Sequence, residues 1–356
     1  MDAQAIVSGL LSWYGLHFRP LPWRQEPTPY RVWISEIMLQ QTRIEAVLPY
    51  FERFMLALPD VQALAAVPEE RLLKLWEGLG YYSRARNLQK AAKIIVSDYG
   101  GQLPADYDRL LALPGIGAYT AGAIASIAFN IPAPAVDGNV MRVLARLTGD
   151  DTDVLSTAGK KRFTDLAWEL VPEEQPGRFN QALMELGETL CLPKSATACD
   201  RCPLSAMCVA YRNGTTSILP VRNGKKARRI EQRQVAVVRL NTSPPSVLLR
   251  KRPETGLLAG LWELPNSLPE ESLLPQGICS VCVDKGDLGT GKHIFSHVEW
   301  HMTGRLYTAE ADLPLPPGYA AVTLEALLSD YALPSAFRYY AAQLPRLLKK
   351  EIESDG

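Results

Sequence analysis

Residues 113–140 read LPGIGAYTAGAIASIAFNIPAPAVDGNV. Gly115 and Gly117 make a tight Gly-x-Gly turn, a run of small apolar residues follows, and Asp137 stands some twenty positions further on. Two glycines let the backbone come close to a partner, and a helix starting just beyond them offers N–H groups with no intrahelical acceptor. Together with the positive end of the helix dipole, such a turn suits a phosphate. The same turn serves equally as a plain joint between two core helices, and composition alone leaves both readings open.

The chain has 356 residues, enough to bury a large core and more in keeping with two domains than one. Apolar residues make up 47% and charged residues 21%, the balance of a soluble globular protein. A formal net charge of zero argues against a protein that coats nucleic acid indiscriminately, although local patches can still bind phosphates. The opening MDAQAIVSGLLSWYG lacks the basic region and cleavage site of a secretory signal. The longest apolar run is broken by Pro132 and Pro134 and is too short to span a bilayer. A cytosolic monomer without membrane contact is the expectation.

Cys191, Cys199, Cys202 and Cys208 form a C-x7-C-x2-C-x5-C pattern, while Cys279 and Cys282 form an isolated C-x2-C. Disulfides are not expected in the cytosol, so the first four are metal or cluster ligands or else reduced bystanders. Zinc is the generic guess for four sulfurs. The second pair reads as ordinary thiols.

The first 220 residues read as successive helices. Residues 31–41 place Val32, Ile34, Ile37, Met38 and Gln41 around a largely buried helix, and residues 69–97 give two more around a Gly-Leu-Gly-Tyr-Tyr turn. The texture changes near residue 220. VRNGKKARRIEQR, residues 221–233, has six basic residues and one acidic and reads as an exposed connector, with a phosphate-touching strap as the alternative. Beyond it, QVAVVRL, SVLLRKR, LLAGLWELP and HIFSHVEWHMTGRLYTAE are short β-type runs parted by Pro and Gly. With a terminal helix near 335–350 they imply an α+β domain. His293, His297 and His301 invite a metal reading, but strand positions four apart are separated by roughly 13 Å, too far for one ion.

Glu36, in VWISEIMLQQT, is flanked by Trp33, Ile34, Ile37 and Met38 within one helical turn. Such neighbours raise a carboxyl pKa and keep it protonated if the side chain points inward; a helix glutamate in water is the ordinary alternative.

The 113–140 segment resembles the helix-hairpin-helix and Gly-Pro-Asp signature of the base-excision DNA glycosylases, with Asp137 at the catalytic aspartate. SEIMLQQT and the later FSHVEW are similar to motifs of one branch, the MutY-type adenine DNA glycosylases, and the likeness spans nearly the whole chain. It implies a multidomain α and α+β fold: an all-helical catalytic region over 1–220 with an iron–sulfur loop at 191–208, a basic linker at 221–233, and a MutT/Nudix-like domain over 234–356. The implied cofactor is a [4Fe–4S] cluster on Cys191, Cys199, Cys202 and Cys208. The first spacer holds seven residues where that family usually has six, which puts the loop around Pro193–Thr197 in doubt more than the ligand set.

The implied activity is hydrolysis of the bond joining adenine to deoxyribose where adenine faces 8-oxoguanine or guanine in duplex DNA. That chemistry needs a proton for the departing base and negative charge beside the sugar cation, as in glycoside hydrolysis. By resemblance, Glu36 is the general acid at adenine N7 and then the residue that activates or positions water. Asp137 stabilises the cation, and Tyr119 and Asn139 hydrogen-bond around the two carboxylates. Strand-cutting relatives carry a Schiff-base lysine where this chain has Tyr119, so little or no lyase activity is expected. The adenine pocket would draw on Arg19, Leu21, Trp23, Arg24 and Gln181, although a tryptophan such as Trp23 is as readily a core residue. Gln41 and Tyr81 correspond to residues wedged into DNA, Phe295, Ser296 and His297 to the probe of 8-oxoguanine, and Gly115 and Gly117 to a phosphate grip. Arg84, Arg86, Lys194 and Arg201 are further phosphate candidates. Beyond its first residue, ELPNSLPEESLLPQG carries only the adjacent pair Glu270 and Glu271 where a Nudix hydrolase has its glutamate cluster, so nucleotide hydrolysis is not expected. A glycosylase for thymine in a G·T mismatch and a non-catalytic damage binder are the competing readings. The MutT-like domain argues against the first, and two carboxylates placed near phosphates argue against the second.

Overall fold

The computed structural model describes residues 2–193, 197–224, 227–311 and 313–349. The chain divides into two compact units, residues 1–66 with 87–224, and residues 67–86 with 225–356.

The first unit is helical. Thr28 caps the helix Pro29–Leu39 by accepting from the Arg31 amide, and Pro29 at the first position already has the required φ. The helix stops because Gln41 turns into the left-handed region at φ 59°, which aims the chain away before Ile44–Ala57 begins. Every residue from Val32 to Met38 is buried, so this is a core helix with no wet face. It packs on Ala118–Phe129, whose Thr120–Ser126 run is small apart from Ile124 and wholly buried. Small side chains let backbones approach: a Cβ on Gly177 would lie 2.6 Å from the Ser126 carbonyl, so Pro176–Thr189 can cross here only with glycine. That last helix also packs on Gly138–Thr148 and on Ala3–His17 around Leu10, Leu144, Phe163, Phe179 and Leu183. Burial of large apolar side chains of this kind contributes roughly 1.5–3 kcal/mol each.

The second unit is built on strands β1 (Arg229–Leu240), β2 (Ser246–Lys251), β3 (Trp262–Glu263), β4 (Asn266–Ser267), β5 (Val283–Ile294), β6 (Val298–Ala309) and β7 (Tyr319–Thr323). The main order is β3-β2-β1-β6-β5, with β4 pairing β1 and β7 pairing β2. β1 and β6 run parallel from Arg229↔Val298 to Leu240↔Ala309; the other pairs are antiparallel. Period-2 alternation explains the two-faced burial of β1. Val235 and Val237 join Trp300, Met302, Phe337 and Tyr340 on one side, while Ala236, Val238 and Leu240 join Leu248 and Ile278 on the other. Arg229–Arg233, the end of the basic stretch, already belongs to β1. Among the described residues no single helix forms over 335–349. Short turns at Ser335–Phe337, Arg338–Ala341 and Leu344–Leu347 replace it, since Pro345 has no N–H to continue the ladder.

Residues 67–86 are stitched into this unit. Lys74 donates through Nζ to the Leu327 and Tyr331 carbonyls at 2.8 and 3.0 Å, and Glu77 accepts from the Leu333 amide at 2.7 Å. The Gly78–Tyr82 loop therefore shares a body with the β5–β6 hairpin, whose tip is Phe295–His297 and whose turn is closed by Phe295 N to Val298 O at 2.9 Å.

Candidate active site

Glu36, one turn before the end of its helix, is 6% exposed and faces a cavity of about 630 Å³. Tyr119, the second residue of Ala118–Phe129, donates its hydroxyl to Glu36 Oε2 at 2.5 Å. Burial pushes the Glu36 carboxyl up to about 7; the Tyr119 hydrogen bond opposes this, the nearby Asp137 charge adds to it, and Arg24 opposes it. The Tyr119 phenol is itself held well above its ordinary range by burial and by both carboxylates, so it stays a donor.

Asp137 lines the same cavity from another element. It is the N-cap of Gly138–Thr148 and accepts from the Asn139 and Val140 amides at 2.9 and 2.7 Å. Asn139 Nδ2 donates to its other oxygen at 2.9 Å. Burial raises the Asp137 carboxyl, and the two amides, Arg142 and the Asn139 side chain pull the other way. A helix N-terminus with two aimed N–H groups is a setting for a carboxylate that stays charged.

Leu21, Trp23, Arg24, Gln41 and Gln181 also line the cavity. Trp23 does double duty, 4% exposed and edge-on to Phe51 at 5.1 Å. Gln181 is oriented by Tyr14, whose hydroxyl donates to Oε1 at 2.8 Å. Arg24 pairs with Glu185 at 2.8 Å. Arg19 is not part of the lining; it stands behind it, paired with Glu185 and with Glu188, and Glu188 does reach the cavity. Gly115 and Gly117 differ in kind. Gly115 has φ 78° and a Cβ there would meet Asn87 at 2.6 Å, so the turn requires glycine. Gly117 faces open space and caps Ala118–Phe129 with no side-chain hydrogen bond, leaving the first amides of that helix without a cap.

The second unit carries its own cavity of about 530 Å³, and Tyr81, Phe295, Ser296 and His297 line it. Tyr81, at φ 48° and 48% exposed, is hydrogen-bonded through its hydroxyl to Ser296 Oγ at 2.7 Å. Phe295 is edge-on to Trp300 at 4.9 Å, which anchors the hairpin tip. Arg84 and Arg86, expected to touch phosphate, are both engaged inside the second unit. Arg84 is buried and donates to the Leu79 and Gly80 carbonyls at 3.1 Å, holding the loop that presents Tyr81. Arg86 pairs with Glu69 at 2.6 Å and donates to the Ala259 carbonyl at 2.7 Å. Both guanidiniums meet internal acceptors that the sequence pattern does not reveal.

The four clustered cysteines lie beside Gly138–Thr148. Arg146 donates to Cys191 Sγ at 3.3 Å, and Cys208 Sγ lies 3.3 Å from the Arg146 carbonyl. Burial pushes the Cys202 thiol up to about 11, with the charges of Cys191, Cys208 and Cys199 adding to the effect, so the four sulfurs sit within mutual electrostatic reach. Among the described residues no three His, Cys, Asp or Glu side chains are already in ligating geometry. The donor chemistry, four soft sulfurs of which Cys191 meets the buried Arg146 guanidinium, nevertheless fits a thiolate-held metal or cluster. Lys194 lies outside the described residues; Arg201 is exposed at the end of the Cys199–Arg201 turn. Cys279 and Cys282 remain free thiols.

Two functional neighbours went unread in the sequence. Arg142 donates to Asn139 Oδ1 at 2.9 Å, the Gly187 carbonyl at 2.7 Å and the Cys191 carbonyl at 2.8 Å, joining the Asp137 cap to the cysteine loop. Glu185, 1% exposed, gathers Arg19 and Arg24. The available signal was charge on an apolar face: Arg142 and Arg146 sit at i and i+4 among buried Val143, Leu144, Ala145 and Leu147.

Comparison with known proteins bears on this geometry. Residues 34–173 match the model of the HhH-GPD superfamily of base excision DNA repair proteins, and residues 235–343 match the NUDIX domain. The chain is 36% identical to an adenine DNA glycosylase of Mus musculus over 95% of its own length and 78% of the relative's. It is 34% identical to that of Homo sapiens, covering 97% and 75%. A thermostable thymine-DNA glycosylase structure matches with TM-score 0.53 and 29% identity over 59% of this chain and 97% of that one. A trapped endonuclease III–DNA covalent intermediate matches with TM-score 0.51 and 27% identity over 60% and 99%.

Proposed function

This chain belongs to the adenine DNA glycosylases of the HhH-GPD base excision repair superfamily, and from that premise we propose how its residues divide the work of removing adenine from duplex DNA. The family's reaction is hydrolysis of an N-glycosyl bond. Glu36 donates a proton to N7 of the flipped adenine, so that the base leaves neutral, and then positions or activates water. Asp137 supplies the negative charge that the developing sugar cation needs. Tyr119 holds the Glu36 carboxyl in place and, being a phenol where a lysine would form a Schiff base, leaves the strand uncut.

A single observation supports the assignment best. Two carboxylates share one cavity in different settings: burial pushes Glu36 up to about 7, while Asp137, also raised by burial, is met by two helix amides that oppose the rise. Such a pair separates a proton donor from a charge stabiliser at neutral pH. Leu21, Trp23, Arg24 and Gln181 surround the base, with Arg19 acting from behind through Glu185.

The partner base is 8-oxoguanine or guanine, met by the second unit. Gln41 on the first unit and Tyr81 on the second are each residues that wedge into DNA, and Phe295, Ser296 and His297 probe the lesion. The uncapped amides after Gly117 receive a phosphate. Cys191, Cys199, Cys202 and Cys208 would hold a [4Fe–4S] cluster, which when bound supplies a rigid, electron-capable centre for the loop; none of the hydrolytic steps above uses it. The test is a duplex carrying one adenine opposite 8-oxoguanine, incubated with the protein and then split into halves with and without hot alkali. Breaks only after alkali are expected. Breaks without alkali would overturn the monofunctional reading, and tight binding with no labile site would favour a damage binder.

A further inference from the structure

We propose that a second cavity of the helical unit is an exit subsite that takes the free purine base after its bond to the sugar is cut. The inference rests on the mechanism proposed above. A flipped nucleotide enters still tethered to its strand, so the abasic sugar covers the entrance once the bond has broken. The base then needs either departure of the DNA or another way out.

The structure offers one. A cavity of about 520 Å³ lies against the adenine pocket, and Arg24, Ile127 and Gln181 line both. These three side chains are the wall between them. Arg24 is the fixed part, paired with Glu185 at 2.8 Å and standing 5.9 Å over the Tyr14 ring. Gln181 is tethered by one hydrogen bond from Tyr14, whose ring belongs to the far cavity. A turn of the Gln181 side chain therefore opens the wall without moving backbone, and the amide that grips the base edge on one side can follow it to the other.

The far side is furnished for a planar, edge-polar ring. Phe18 is 42% exposed and edge-on to Tyr14 at 5.7 Å, presenting aromatic surface into the space. Arg178, Asn130 and Gln175 add a guanidinium and two amides, groups that pair with ring nitrogens and an exocyclic amine. Two of these lining residues have left-handed backbone, Asn130 at φ 55° and Gln175 at φ 57°. Asparagine often ends a helix this way. Gln175 opens one, and a non-glycine residue there carries backbone strain of the kind that clusters at binding sites.

Gly15 borders only the far cavity, and a Cβ there would touch Arg178 at an ordinary 3.7 Å. Gly15→Leu thus fills the subsite while favouring its helix. In a single turnover on duplex with radiolabelled adenine, quenched samples report bond cleavage and rapid gel filtration reports base still held. The expected result is cleavage within about twofold of the unaltered protein and base escape slowed about fivefold or more. Escape as fast as cleavage in Gly15→Leu would overturn the proposal. Should that variant fold poorly, Phe18→Ala gives the second reading. Saturation-transfer NMR with adenine alone should show binding to the unaltered protein, weakened about threefold or more in Phe18→Ala; equal signals overturn the subsite. Failure of the unaltered protein to cut adenine at all would instead sink the mechanism on which the inference stands.

Discussion

Glu36→Gln should make the protein more stable as well as inactive, and the gain should depend on pH. The substitution keeps the shape and leaves an amide oxygen to accept from Tyr119, but removes a charge from a site where burial dominates. Raising a carboxyl from 4.5 to about 7 means the ionised form is disfavoured in the folded state by roughly 3 kcal/mol. The sign follows from proton binding. Below 4.5 the carboxyl is protonated folded or unfolded and nothing is lost. Between 4.5 and 7 only the unfolded chain ionises, so stability falls as pH rises, and above 7 the loss is complete. Glutamine escapes it, gaining about 3 kcal/mol at pH 8 and under about 1 kcal/mol at pH 5. For a body the size of the helical unit that is a Tm rise of about 6–12 °C at pH 8 and a few degrees at most at pH 5. Calorimetry of the full chain and the variant at both pH values measures it, other ionisations cancelling between the two proteins. An equal Tm difference at both pH values, or a less stable variant at pH 8, would refute a buried, proton-holding Glu36.

Asp137→Asn retains an oxygen for the Asn139 and Val140 amides, so lesion binding should survive by gel shift while base removal falls about a hundredfold or more. Normal turnover would remove Asp137 from the mechanism. Tyr119→Lys should give a borohydride-trapped protein–DNA adduct, since an amine then stands beside Glu36 in the pocket; absence of the adduct counts against the lysine-replacement argument. Ser296→Ala with His297→Ala should narrow the preference for 8-oxoguanine over guanine, and an unchanged ratio would move lesion reading elsewhere. Gly177→Ala drives a Cβ to 2.6 Å from the Ser126 carbonyl and should destabilise the helical unit by about 1–3 kcal/mol in urea titration.

Much of this site was legible because its residues break local rules in the sequence itself. Glu36 sits in a helix whose buried Val32–Met38 stretch is otherwise apolar apart from Ser35, and an acid there has few ordinary explanations. Asp137 precedes a helix, Gly115 marks a forced turn, and four cysteines crowd one window. What stayed hidden is everything decided by distant pairing. Arg84 and Arg86 look like any basic pair on a helix until their acceptors, loop carbonyls and Glu69, are in place. Arg142 and Glu185 carry no motif, and their work of joining a cap to a loop and clamping two arginines exists only in three dimensions. The β-domain strands were readable from alternation, but the parallel pairing of β1 with β6 joins segments some seventy residues apart and leaves no local mark.

The two carboxylates also explain why the cavity is built from several separate elements rather than one loop. Had both acids stood on one short segment, they would share solvent and neighbours, and like charges so placed titrate as a pair that loses its first proton early. Here Glu36 comes from a dry helix interior, with a phenol as its one strong hydrogen-bond partner. Asp137 comes from a helix entrance, with two backbone amides and an asparagine that Arg142 holds in turn. Each environment is the natural product of its own element: a core helix supplies burial, a helix start supplies donors. The Asp137 charge then adds to the penalty on Glu36, so the stabiliser helps keep the acid protonated until a base arrives. It follows that Asn139 and Arg142 influence the proton on Glu36 without touching it, by fixing where the charge on Asp137 lies. Loosening that cap should weaken both roles together, because the separation of acid from stabiliser resides in the pair.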